Sequence, residues 1–146
     1  MRKGIEILSA IAGAMVSFFS GLPVIVWVLI GVMSLDYATG ILCGLLGRSP
    51  KTETGGLSSG AAFLGLLKKA VILSVVGLAA LIDNAIAQSA GIEMAAVTGA
   101  CCLWFVASEG MSILENATSI GVPVPKALLS ALEIMRQKGE ASGEKE

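Results

Sequence analysis

The feature that most constrains this chain is a succession of long apolar runs, Ile5 to Leu22, Pro23 to Gly47, Ala70 to Ala87 and Ile92 to Leu114, with very few charges inside them. A helix crosses a bilayer with roughly 20 apolar residues, and about 17 can suffice. Runs of that length are hard to place in a soluble fold. Composition agrees: 55% of the 146 residues are hydrophobic and 14% are charged, against roughly 25% charged in a soluble domain. That balance excludes a disordered chain and leaves too little charge for a water-facing surface. The fold class predicted is an all-α integral membrane helical bundle of three to four transmembrane helices, four favoured, plus a short C-terminal amphipathic helix.

The spans are expected at about 5–22, 23–47, 63–88 and 92–116, within a membrane domain covering 1–120. Orientation follows from the ten basic residues, because Lys and Arg collect on the cytoplasmic side. Arg2 and Lys3 precede the first run. Arg48, Lys51, Lys68 and Lys69 lie in or beside the link between the second and third. Lys126, Arg136, Lys138 and Lys145 follow the fourth. Four spans with both termini in the cytoplasm place all ten inside. Three spans with the N-terminus outside misplace only Arg2 and Lys3, the first segment then lying at the interface. The start also resembles a signal peptide, but no small-x-small site precedes Pro23, so an uncleaved start is favoured.

The first segment carries a stripe of small, weakly polar residues, Glu6, Ser9, Ala10, Gly13, Ala14, Ser17 and Gly21, at three- and four-residue steps. Small residues at that spacing let helix backbones approach closely in lipid. The stripe either packs against this chain's own helices or meets other copies and, once they assemble, water.

Residues 48–62 read as a loop, with Ser49-Pro50, Gly55-Gly56 and Ser58-Ser59-Gly60 as turn signals. Ser58 or Ser59 is placed to cap the third helix. Lys68 and Lys69 then fall in its early turns and are expected to snorkel to the cytoplasmic headgroups. After the fourth run, Pro123 and Pro125 stop the helix. An amphipathic helix follows within 121–138, with Leu128, Leu132 and Met135 on one side and Lys126, Ser130, Glu133 and Gln137 on the other. It is expected on the inner membrane surface, ahead of a polar tail, 139–146.

Four acids, Asp36, Asp83, Glu109 and Glu115, lie in or at the edges of the runs. Such residues face partners or water, and on this reading no basic residue is deep enough to pair with all of them. Three roles stay open: capping or bonding a neighbouring helix, lining a wet interior, or relaying protons or cations. Cys43, Cys101 and Cys102 sit in apolar runs without metal or redox spacing and read as small hydrophobes. Histidine is absent, and no nucleotide, hydrolase or zinc-protease motif occurs. No enzyme activity, cofactor or metal is expected, and a net charge of −1 gives no reason to expect nucleic acid.

Taken in order, several stretches resemble a known family. Leu35-Asp36-Tyr37-Ala38-Thr39-Gly40 is followed by a basic, Ser/Gly-rich loop ending in Gly65-Leu66-Leu67-Lys68-Lys69, with Asp83 late in the next span. Glu109-Gly110-Met111-Ser112-Ile113-Leu114-Glu115-Asn116 and Gly121-Val122-Pro123-Val124-Pro125 close the series. Over roughly 24–135 these are similar to the toxin-secretion/phage-lysis holin family, which includes phage holins and holin-like proteins of clostridial toxin loci. The resemblance carries over Asp36, Gly40, Lys69, Asp83, Glu109, Asn116, Pro123 and Pro125 as motif positions without giving their roles. It implies a holin of the bacterial cytoplasmic membrane that oligomerises into lesions releasing endolysin, for host cell lysis, or a toxin. Its partners would then be membrane lipid, further copies of itself and an antiholin, with endolysin or toxin as released cargo. The alternatives are a small ion channel or transporter subunit, and a non-conducting membrane scaffold.

Overall fold

The computed structural model describes residues 3–7, 9–10, 13, 21–91 and 96–143, and no strand occurs among them. The described residues before Gly21 are helical. Beyond them run α1 (Val24–Leu45), α2 (Ser59–Ala90), α3 (Ala96–Ser119) and α4 (Lys126–Gly143). Among the described residues three helices, α1, α2 and α3, are long and apolar enough to cross a membrane. The span expected at 5–22 lies mostly outside the described residues.

Local chemistry sets the helix ends. Pro23 stands just ahead of α1, where its missing N–H costs nothing, and its carbonyl accepts from Val26 N at 3.0 Å. Ser58 caps α2, its Oγ accepting from Ala61 N at 3.3 Å. Gly91 closes α2 with a φ of 67°, a left-handed conformation that costs glycine little. The α1–α2 link is a folded loop. Ser49 N donates to Gly55 O at 2.7 Å, and a Cβ on Gly55 would stand 2.5 Å from Gly47 O. Only glycine closes that turn.

Each spanning helix buries one stripe, most of its residues three or four apart. On α1 it runs through Val26, Leu29, Met33, Asp36 and Cys43; on α2 through Lys69, Ile72, Val76, Ala79 and Asp83; on α3 through Thr98, Cys102, Val106, Glu109 and Leu114. The stripes meet in layers. Val26, Leu29, Met33, Ile72, Val76, Cys102 and Val106 form the apolar core. Outside it, large residues such as Trp27, Leu35, Phe63, Leu64, Val71, Leu78 and Leu81 stay exposed. That is the surface a bundle presents to hydrocarbon, since lipid is as apolar as the core.

The C-terminal helix departs from expectation. Instead of lying across the inner membrane surface, α4 folds back antiparallel along α3. Leu132 seats against Gly110, where an added Cβ would stand 2.9 Å from Leu132 Cδ2. Farther on, a Cβ on Gly139 would stand 3.0 Å from both Ala100 O and Trp104 Cβ. The amphipathic pattern gave the face only in part: Leu132 and Met135 are turned inward, but Leu128 is exposed and Glu133 is half-buried. The helix also continues through Gly143, past the expected start of the tail at 139.

Candidate functional site

The polar residues on the three stripes converge at one level. Lys69 Nζ donates to Asp36 Oδ2 at 2.8 Å and also to Glu109 Oε2. Asp36 and Glu109 are buried, and Lys69 is 8% exposed. Asp36 lies nine residues from the end of α1, Lys69 ten from the start of α2 and Glu109 ten from the end of α3. At 1.5 Å per residue all three sit about 13–15 Å in from the same end of the bundle. One ammonium between two carboxylates satisfies the rule that ionised groups inside a membrane pair with one another.

This corrects one expectation. Lys69 does not snorkel but pairs with Asp36 and Glu109, two of the four acids. The adjacent Lys68 is turned outward: its side chain is 69% exposed and approaches Glu109 Oε1 only to 3.9 Å. A sequence signal separated the two. Lys69 falls on the Ile72–Val76–Ala79–Asp83 stripe, and Lys68 does not.

A second tier lies between this triad and the loop. Asn116, fully buried, donates from Nδ2 to Thr39 Oγ1 at 3.0 Å, Asp36 Oδ1 at 3.3 Å and Asp36 O at 3.4 Å. Its Oδ1 is buried without a donor. Cys43 Sγ donates to Asn116 O at 3.2 Å. Gly40 leaves room here, an added Cβ standing 3.7 Å from Asn116 Nδ2. Lys51 reaches in from the loop, donating to Ser112 Oγ at 3.1 Å and to Asp36 Oδ1 at 3.4 Å. Composition singled out neither Lys51 nor Ser112, because a loop lysine carries no periodicity. Beside the cluster a cleft of about 60 Å³ opens between α1, the loop and the start of α2, lined by Asp36, Gly40, Lys51, Thr52, Ser58 and Lys69 among others.

The other motif positions lie elsewhere. Asp83, toward the far end of α2, accepts from Thr98 N at 2.8 Å and Val97 N at 3.1 Å, bonding otherwise unpaired amides in the first turn of α3. Pro123 and Pro125 form the α3–α4 link, where Pro125 O accepts from Leu128 N at 3.1 Å. Glu115 is exposed. Of the N-terminal stripe, Glu6, Ser9, Ala10, Gly13 and Gly21 are exposed, and Ser9 Oγ donates to Glu6 O at 2.9 Å. Ala14 and Ser17 lie outside the described residues. Among the described residues no three His, Cys, Asp or Glu side chains gather as metal ligands. The three cysteines are free thiols. Chemically the cluster is a closed ionic knot that holds three helices in register.

Comparison with known proteins places these residues in context. The model of the bacteriophage holin family matches residues 13–137. An uncharacterized protein of Halalkalibacterium halodurans is 32% identical over 136 residues, covering 92% of this chain and 93% of that protein. An uncharacterized 14.9 kDa protein in the nagH 3' region of Clostridium perfringens is 30% identical, covering 71% of this chain and 70% of its own. A probable holin of Bacillus phage phi105 is 30% identical over 90 residues, 62% of this chain and 63% of that protein. No solved structure matches.

Proposed function

This chain belongs to the bacteriophage holin family, and on that footing we propose that it permeabilises the bacterial cytoplasmic membrane by assembling with further copies of itself into lesions. The cargo is a cytoplasmic protein, an endolysin in host lysis or a toxin in secretion, that passes through without being bound. The basic loop between α1 and α2 faces the cytoplasm, as does the N-terminus, while α4, lying back along α3, carries the C-terminus toward the opposite side. An antiholin is a candidate regulator.

The observation that carries this reading is the knot of Asp36, Lys69 and Glu109 inside helices whose outer faces are apolar. A protein that accumulates harmlessly in a membrane before opening it must hide its charges. A protein that then opens a water-filled hole must already possess polar groups at membrane depth. Mutual pairing meets the first need and preserves the second. Nothing in that arrangement requires bond chemistry.

The test is culture turbidity after inducing this chain in bacteria that also hold a muralytic enzyme lacking any export signal, with an inactive enzyme as control. Abrupt clearing after a delay, only with active enzyme, is the expected result. Continued turbidity with the protein confirmed in the membrane would overturn the reading.

A further inference from the structure

Helix α4 runs beside α3 until Gly139 stands at Ala100, four residues from the start of α3 at Ala96. From Ser119 back to Ala100 is about 28 Å of helix, close to the roughly 30 Å of bilayer hydrocarbon. So α4 stands alongside a spanning helix over most of its length, and its outer surface is mixed: Leu128, Leu129 and Ile134 are exposed, but between them lies a polar stripe unsuited to lipid. Lys126, Ser130 and Gln137 are exposed, and Glu133 is half-buried beside Arg136, whose Nη2 lies 2.9 Å from Glu133 Oε1. Charged groups facing acyl chains are costly.

Two arrangements resolve the conflict. Either α4 leaves α3 for the membrane surface, or its outer face meets water. The contact favours the second. Gly110 and Gly139 are notches that admit Leu132 on one side and the Ala100–Trp104 backbone on the other. Trp104 Nε1 donates to Glu140 Oε1 at 3.3 Å, and Met135 packs against the apolar core. A helix destined for the surface needs no such fit.

We propose that α4 is the wall of the lesion: it stays on α3 and turns its Lys126–Ser130–Glu133–Gln137 face to the water between assembled copies. The inference rests on the holin reading. It assigns the two surfaces of the chain to two solvents, with the outer faces of α1 and α2 on lipid and α4 on the aqueous hole.

A disulfide lock tests it. With Cys43, Cys101 and Cys102 replaced, Gly110→Cys and Leu132→Cys tie notch to knob, and Ser130→Cys reports on the outer face. The expected result is clearing at the same time whether the lock is oxidised or reduced, with Ser130→Cys open to a membrane-impermeant maleimide in cleared membranes while the lock is closed. Clearing blocked by oxidation and restored by reduction would overturn the wall, since α4 must then leave α3. So would clearing with an unreactive Ser130→Cys. If the lock variant fails to accumulate, Gly139→Leu decides, because it pushes α4 off Ala100 and Trp104 while leaving every residue of the spans unchanged. It should delay clearing several-fold at equal membrane level, and unchanged timing would overturn the proposal. A cysteine-free parent that never clears would instead sink the holin reading, and the wall with it.

Discussion

Lys69 Nζ stands 2.8 Å from Asp36 Oδ2, joining α1 to α2 through a buried ion pair that α3 completes with Glu109. The pairing decides what each residue is worth alone. Removing Lys69 leaves two buried carboxylates without the cation they share, whereas neutralising all three leaves no buried charge in the triad.

Lys69→Met should therefore destabilise the bundle by about 3–5 kcal/mol, the usual cost of breaking a buried pair from one side. Combining it with Asp36→Asn and Glu109→Gln should recover much of that loss. Membrane accumulation and thermal unfolding in detergent, read for the single and triple variants, check the order. A triple variant less stable than the single would show that the knot does more than balance charge.

Asp83 has a local role, and its loss should stay local. Asp83→Ala should free the amides of Val97 and Thr98 and cost about 1 kcal/mol, as for a lost helix cap. Asp83→Asn should restore only part of it, since its one carbonyl oxygen can accept from one amide while its NH2 faces the other. Amide hydrogen exchange should quicken at Val97 and Thr98 and stay unchanged near Lys69.

Gly44 packs directly under the loop, with an added Cβ 3.0 Å from Leu57 Cα. Because the near neighbour is backbone, Gly44→Val should displace the loop at about 1–3 kcal/mol. Faster proteolytic cleavage between Arg48 and Leu57 is the expected sign.

Gly13 stands with nothing within 4 Å of where its Cβ would lie. If the small stripe serves contacts between copies, Gly13→Leu should delay or abolish lysis without lowering membrane accumulation. Unchanged lysis timing at equal protein level would remove the stripe from the mechanism.

Much of the fold was legible because lipid imposes a length rule, and Pro23, Ser58 and Gly91 punctuate the chain where the helices end. The triad was legible only in part. Asp36 and Glu109 stood out as acids in apolar runs, but Lys69 was read together with Lys68 as one basic pair at the interface. The phase of the α2 stripe separates them, one turned inward and the other out. The position of α4 was not legible. Its amphipathic face fixes that it docks, but the seat depends on Gly110 and Gly139 meeting neighbours far away in sequence. Lys51 was missed for a related reason, because its place depends on how the loop folds over α1.

That Asp36, Lys69 and Glu109 share one level has an energetic corollary. Were the charges staggered along the helices, water entering between them would be rewarded a little at each step, and the bundle would leak by degrees. Concentrated at a single depth behind the Val26–Leu29–Val76–Val106 layer, they make the free-energy profile a cliff rather than a ramp. If the chain opens lesions as proposed, wetting past that layer would gain little until the charged level was reached and much once it was. A membrane holding such a protein would then stay tight until it failed, and fail abruptly.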